Sequence, residues 1–571
     1  MDGKNPYEFE SLVTLMRMNF ASIVEKVKGM KVLILDSETS KIISLVYTHS
    51  YLLENEVLLT LNIDDATIFN PDPNVTVDSN LKYLKGVYIV SPNMESLNKI
   101  SSELKNPHFK EYYVYFTNKV KEDMLELMAK SDTLELVKGV YEYFVDFYVL
   151  DEFLFTLNIA KLQSLYKEDV NMMLDFSVSK MVNSLFSVCC MLNQIPTVVY
   201  RRNNPILQTI ANKLQADFNN NNLNLQSIIQ SYNNYNSKNP MAEHSGCVLL
   251  ILDRREDCIT PLMNQWTYRA MIHEMLKINN NKVMLDDTEY ILGNNDDFYG
   301  KHLFDEFADV ESDLNVLINE NKPTNSDIYK ILESLPEQSK TLNDTTRHVK
   351  VLHELSKHIQ KNKLLDSGIL EQDIATNRRN IINELAEFLN DKTAPTYEKL
   401  RVALIFCLKN PGDTNKVNRV KDYLKMNRLD QHVALVDLCV KLARFRPVSK
   451  TNQDFTLSSL KDKLNKVSLE SQSPYLQYKS QLHSTCYNLI KGKLDAELYA
   501  TMPSAYDLGY TLKHKPASAI VFIVGGATYS EARDCNIVSR ATGIPIILGG
   551  SYIHNSRSFM ADFLNHEATD F

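Results

Sequence analysis

Five apolar residues in a row, Val248 to Leu252, are closed at once by Asp253, Arg254 and Arg255. A run of that length without polar alternation reads as a strand covered on both faces, the condition of a mostly parallel sheet. Pro261 follows where the first turn of a helix tolerates it. From Leu262 to Ile278, Leu262, Met263, Trp266, Tyr268, Met271 and Ile272 surround a helix instead of lining one stripe, so that helix is expected to be enclosed by other elements. Trp266 is the only Trp in the chain. At a strand-to-helix exit, its ring is assigned to packing first.

The first 130 residues alternate in the same way. Phe9, Leu12, Val13, Met16, Phe20, Ile23, Val24 and Val27 form one face of a helix that Gly29 ends. Lys31 to Leu35 is a short buried strand, and Asp36 is placed to cap the next helix. Further strands are expected at Val57–Leu61, Gly86–Val90 and Tyr112–Phe116, with helices near Glu95–Leu104 and Lys119–Ala129. Together they make one doubly wound α/β domain over residues 1–135. A loop rich in Pro and Asn is expected at 69–78, and the Asn-rich tract 219–239 reads as an exposed insertion.

Past Asn279 strand signals fade and helices dominate to about Ser480. Helices are expected at Ile374–Leu389, Tyr397–Leu408 and Asp430–Ala443, and Pro336 should kink or break the helical stretch Ser326–Lys361. Two buried-strand signals, Ala517–Gly526 and Gly543–Gly550, then flank a helix at Tyr529–Thr542. Strands at both ends of a helical stretch imply an interrupted α/β domain, 136–260 with 487–571, holding a mostly helical insertion, 261–486.

Chemistry is hard to find. Gly525-Gly526 and Gly549-Gly550 end strands but complete no phosphate-binding motif, so they read as tight exits needing positive φ or close approach. His353 and His358 lie five apart, which parts them on a helix and spoils a zinc site. The eight cysteines form no C-x-x-C pair. No catalytic residue, metal or cofactor is therefore assigned. An α/β enzyme taking a phosphate-type ligand at the Asp253 strand end stays open as an alternative, as does a purely structural helical scaffold. The net charge of −9 gives no reason to bind nucleic acid. No apolar run is long enough to span a membrane, and no signal peptide or prenylation box is recognisable, which places the chain in the cytosol.

The run LDRREDCITPLMNQWTYRAMIHEML, residues 252–276, resembles the signature of the SM (Sec-one/Munc-eighteen) family of SNARE-binding proteins. That resemblance implies an arch-shaped α/β fold: two doubly wound parallel-sheet domains and a long, mostly helical inserted domain. It implies a non-catalytic regulator of SNARE assembly in vesicle docking and fusion, acting in endosomal and Golgi protein transport. The expected partners are a syntaxin-type SNARE and assembling SNARE helices. Recruitment to membranes would be peripheral, without an anchor of the chain's own, and the chain would be monomeric apart from its SNAREs. By the same resemblance, Phe116, Leu125 and Met128 are expected to form a pocket for a syntaxin N-terminal peptide. Leu335 to Leu342 resembles the turn of a SNARE-templating hairpin, with Pro336 at its proline. Asp253, Arg254, Pro261 and Trp266 are expected at a domain junction.

Overall fold

The computed structural model describes residues 9–47, 49–64, 79–159, 171–220, 246–278, 281–286, 288–293, 296–320, 328–376, 381–443, 473–502 and 511–563. The expected loop at 69–78 and most of the Asn-rich tract lie outside them.

The first sheet is wholly parallel, with β1 (Lys31–Leu35), β2 (Val57–Asn62), β3 (Lys85–Val90), β4 (Glu111–Phe116) and β5 (Val137–Glu142) in the order β2-β1-β3-β4-β5. Alternate residues of each strand point to opposite faces, and both faces are covered. Leu33, Leu35, Val87 and Ile89 pack with Phe20, Ile23 and Val24 of helix Leu12–Lys26. Val32, Ile34, Tyr88 and Val90 pack with Leu97, Ile100 and Leu104 of helix Met94–Lys105 and with Met124 and Met128 of helix Glu122–Ser131. Every residue of β1 is therefore buried, as its unbroken apolar run requires. Asp36 ends the strand and starts helix Ser37–Ser44, accepting the amides of Glu38 and Thr39 at 3.1 and 2.7 Å. The sheet reaches Glu142, so the boundary expected at residue 135 falls one strand too early.

A second sheet draws on two distant stretches of chain. Its early strands are β6 (Tyr148–Asp151), β7 (Leu154–Thr156), β8 (Thr197–Arg201) and β9 (Cys247–Asp253). A small antiparallel hairpin, β10 (Lys282–Leu285) with β11 (Thr288–Ile291), comes between. The late strands are β12 (Tyr499–Thr501), β13 (Ser518–Val524) and β14 (Ile546–Gly550). The order is β12-β8-β9-β13-β14-β7-β6, with β8, β9, β13, β14 and β7 parallel and the two edge strands antiparallel. β13 enters beside β9 in register from Ser518↔Cys247 to Val524↔Asp253, so the late segment completes the sheet at its centre. Its exit uses Gly525 and Gly526 at φ 94° and 93°. Helix Tyr529–Thr542 then opens on a Thr528–Glu531 capping box and ends at left-handed Gly543. At Gly549 a Cβ would lie 2.1 Å from the Phe155 ring, so this glycine serves close approach.

Between β11 and β12, helices Phe307–Glu320 and Ile328–Lys361 pack into the core of the second sheet, and the later helices build a second core. Helix Thr396–Lys409 is buried at every position from Tyr397 to Leu408, and Leu370, Ile374, Leu385, Leu389, Val420 and Leu424 from its neighbours join it. The single helix expected at Ile374–Leu389 is two, Leu364–Ala375 and Ile381–Asn390.

Candidate functional site

The carboxyl end of β9 gathers charges and gives them partners. Asp253 accepts Asn204 Nδ2 at 2.6 Å and Arg255 Nη2 at 2.7 Å. Arg254 is buried and donates to Glu531 Oε2 at 2.8 Å, to the Asp257 carbonyl at 2.9 Å and to the Gly526 carbonyl at 3.3 Å. Burial disfavours the Arg254 cation, but Glu531 outweighs it and holds the guanidinium above its usual range. Asp257 accepts the Thr260 hydroxyl at 2.5 Å and the Gln481 amide at 3.2 Å. Glu256 is the exception in balance: burial pushes its carboxyl up to about 7, against the pull of Arg201 at 3.8 Å.

The signature continues as a strap between the second sheet and the inserted helices. Pro261 lies buried in a 3₁₀ turn, Thr260–Leu262. The α-helix begins only at Tyr268, six residues after the start expected at Leu262. Two tertiary contacts hold the intervening residues out of the helix. The Asn264 amide donates to Glu371 Oε2 at 2.7 Å. Trp266 lies with its ring centroid 4.5 Å from that of Tyr475 and its indole against Gly368, where a Cβ would stand at 2.9 Å. Arg401, also buried, donates to Glu371 at 2.5 Å, to the Leu262 carbonyl at 2.7 Å and to Glu398. Helix Tyr268–Met275 is enclosed, as its all-round apolar pattern demands. Arg269 pairs with Asp151, the Ser556 amide donates to Glu274 Oε2 at 2.9 Å, and Asn555 Nδ2 donates to the His273 carbonyl at 3.0 Å. Burial, helped by Arg269, pushes His273 down to about 3; burial and Arg254 do the same to His554. Both imidazoles are neutral at pH 7. The cavity they share with Thr260, Thr528 and Ser530 measures ≈ 20 Å³, room for about one water and far below the few hundred Å³ of a ligand pocket.

The first domain presents a different surface. Of the three residues expected in a peptide pocket, only Leu125 reaches solvent, at 38 % exposure. Phe116 and Met128 are 0 % and 4 % exposed and belong to the core under helix Glu122–Ser131. The cause is topological: β4 is an inner strand, and Phe116 lies between Val90 of β3 and Glu142 of β5 on the face that this helix covers. The sheet residues that remain most open are those of its two edge strands, Leu58 and Leu59 of β2 and Val140 and Tyr141 of β5. Val140 pairs in register with Val114, so it lies on the helix-covered face yet stays partly exposed because no strand follows β5. Glu142, beside Phe116, accepts the Val120 amide at 2.8 Å and closes one end of this border. The sequence signal for Val140 was an alternating strand, VKGVYE, which its Gly and charges concealed.

Helix Ile328–Lys361 runs unbroken through Pro336, so the break and turn expected at Leu335–Leu342 are not present. Val351, Leu352, Leu355 and Ile359 are buried and anchor its second half. Propagation from an anchored helix costs little per residue, which lets it carry past the one backbone hydrogen bond that a proline removes. At about 1.5 Å per residue it extends roughly 50 Å.

The sequence profile of the Sec1 family matches residues 31–562, nearly the whole chain. The chain belongs to the Sec1 family. Vacuolar protein sorting-associated protein 45 of Dictyostelium discoideum is 30% identical over 572 residues, covering 95% of this chain and 94% of that protein. The human protein of the same name is 28% identical, over 94% of this chain and 93% of its own. A solved structure described as SM protein Vps45 in complex with Qa SNARE Tlg2 superposes with a TM-score of 0.83 at 25% identity, covering 97% of this chain and 98% of that one. Sly1p in complex with an N-terminal peptide of Sed5p superposes at 0.75 and 18% identity, a likeness of fold alone. The mixed α/β layers and inserted helices described above are thus those of a Sec1-family protein similar to the Vps45 proteins.

Proposed function

We propose that this chain is a non-catalytic regulator of SNARE assembly that binds a syntaxin-type (Qa) SNARE during vesicle docking and fusion, on the endosomal and Golgi routes to the vacuole or lysosome. The observation that carries the reading is the end-to-end likeness to a Vps45 structure holding a Qa SNARE. The geometry supports it in two ways. The charges at the β9 end are engaged with partners, and the cavity beside helix Tyr268–Met275 is of one-water size, which favours binding over catalysis. The first domain keeps two apolar side chains partly in water, Leu125 on helix Glu122–Ser131 and Val140 on the edge strand β5, and an edge strand offers an extended peptide backbone partners.

In this reading Leu125 and Val140 receive the SNARE's N-terminal peptide, with Phe116 and Met128 as the packed floor that fixes their position. Helix Ile328–Lys361, passing through Pro336, serves as an extended track for SNARE helices. Asp253, Arg254, Pro261 and Trp266 hold the inserted helices at a fixed angle to the second sheet. Among the described residues no helix is long and apolar enough to cross a membrane, and the SNARE partner brings the chain to its target membrane as a monomer.

Calorimetric titration with the cytosolic region of an endosomal syntaxin tests the reading. Saturable one-to-one binding is expected. Absence of binding to each syntaxin tested, with binding of inorganic phosphate or nucleotide instead, would favour the enzyme alternative.

A further inference from the structure

Helix Ile328–Lys361 joins the core of the second sheet through Val351, Leu352, Leu355 and Ile359. Apolar contacts hold a helix down without fixing its tilt, because burial has no preferred direction. From His348 back to Ile328 the helix runs roughly 30 Å. A tilt of about 10° at His348 would carry that end by roughly 5 Å, about one helical turn. Something other than apolar burial must set its aim.

His348 is fully buried where the helix reaches that core, and both of its ring nitrogens are engaged. Nδ1 meets the Tyr268 hydroxyl at 2.8 Å, and Nε2 meets the two Asp296 carboxylate oxygens at 3.0 and 3.1 Å. Each partner is itself fixed. Tyr268 opens the signature helix, and its amide donates to the Asp305 carbonyl at 3.0 Å. Asp296 caps helix Asp297–His302 by accepting the Tyr299 amide at 2.9 Å, and it accepts Arg347 Nη1 at 2.9 Å. Burial disfavours the Asp296 charge, but His348 and Arg347 outweigh it and hold the carboxyl below its usual range. Arg347 and Lys350 also reach the β10–β11 hairpin, at the Ile291 carbonyl (3.3 Å) and the Tyr290 hydroxyl (2.9 Å). The order hydroxyl, imidazole, carboxylate is that of a nucleophile array, but Tyr268 is fully buried, out of a substrate's reach.

We propose that Tyr268, His348 and Asp296 form a positioning lock that sets the angle at which helix Ile328–Lys361 leaves the second sheet, and so where SNARE helices lie along it. The inference rests on the reading of this helix as a track. Hydrogen bonds are directional where apolar contacts are not, and a satisfied buried polar network specifies one geometry. Bonds from both nitrogens of one imidazole therefore pin the helix between two partners. The lock joins three separate stretches of chain: the signature helix, the cap before Asp297 and the long helix. Through Tyr268 it ties the track to the strap that holds the inserted helices. Without the lock the apolar anchor keeps the helix folded, and its aim is lost.

The experiment titrates the full chain calorimetrically with an endosomal syntaxin's cytosolic region lacking its N-terminal peptide, and separately with that peptide alone. In His348→Leu the affinity for the peptide-less region should fall about tenfold, and in Tyr268→Phe by less, with peptide affinity unchanged in both. His348→Gln, which keeps a donor for Asp296, should restore part of the loss. Tyr268→Phe differs by a single oxygen and carries the test should the His348→Leu chain not fold. The split between the two ligands is the decisive readout, since a general loosening of the core would weaken both alike. Parallel loss of both ligands would overturn the lock. So would variants that bind the peptide-less region as the unaltered chain does, which would leave the track reading intact. If the unaltered chain itself did not bind the peptide-less region, the track reading would fall and the lock with it.

Discussion

At the β9 end, charged side chains have left water and found partners; at the β5 edge, apolar side chains have stayed in water. Arg254 meets Glu531 and two carbonyls, and Arg401 meets Glu371 and Glu398, with both guanidiniums buried. Leu125 on helix Glu122–Ser131 and Val140 on the edge strand β5 stay partly exposed, in a domain whose inner strands are covered on both faces. Only the first region runs against the usual sorting of residues, in which charges stay in water. Buried ion pairs that satisfy one another fix geometry at little net gain in stability. A partly open edge strand leaves backbone groups and side chains that an added peptide can cover. The first region reads as frame and the second as site.

Substitutions should separate the two by size. The largest effect is expected at Arg254→Ala, which leaves Glu531 buried without its cation and should cost about 5 kcal/mol in thermal or denaturant unfolding. A loss below about 1 kcal/mol would mean that water enters the junction and that the frame is softer than its geometry. Phe116→Ala should cost about 4 kcal/mol as a core cavity. If instead it left stability intact and weakened only SNARE binding, Phe116 would belong to the site and the division drawn here would fail.

A smaller effect tests the electrostatics of the frame. The Glu256 carboxyl is raised by burial from its ordinary 4.5 to about 7. The folded protein therefore holds that proton more tightly than the unfolded chain does. Stability should be fullest below about pH 4.5 from this group and fall as the pH climbs through 7. Glu256→Gln should remove that decline and gain about 2 kcal/mol at pH 8, relative to its own value at pH 5 compared with the unaltered chain. Parallel pH profiles for the two proteins would count against it. Smallest of all in stability is Leu125→Arg, expected within about 0.5 kcal/mol because the side chain is partly exposed on a helix surface.

Much of the frame was legible in the sequence, and the reasons are local. β1 and β9 are unbroken apolar runs closed by an Asp, and helix Tyr529–Thr542 carries its cap at one end and Gly543 at the other. What escaped is what long-range contacts decide. β5 has too few apolar residues to announce itself, since an edge strand need not be buried. The helix expected from Leu262 waits until Tyr268 because Glu371 and Tyr475, a hundred or more residues away, claim Asn264 and Trp266. Pro336, a breaker by propensity, is carried through by a helix anchored further on. Within helix Glu122–Ser131, Met124, Leu125, Leu127 and Met128 are all apolar, so composition could not tell the inward Met124 and Met128 from the outward Leu125. Only the position of β5 separates them.

The most direct measurement is a calorimetric cycle. The unaltered chain and Leu125→Arg are each titrated with an endosomal syntaxin's cytosolic region, with and without its N-terminal peptide. The unaltered chain should lose about tenfold or more in affinity when the peptide is removed, as expected for an anchored apolar contact. Leu125→Arg should bind both syntaxin forms equally, at the lower affinity. If Leu125→Arg still distinguished the two forms as the unaltered chain does, the β5 edge would not be where the peptide binds.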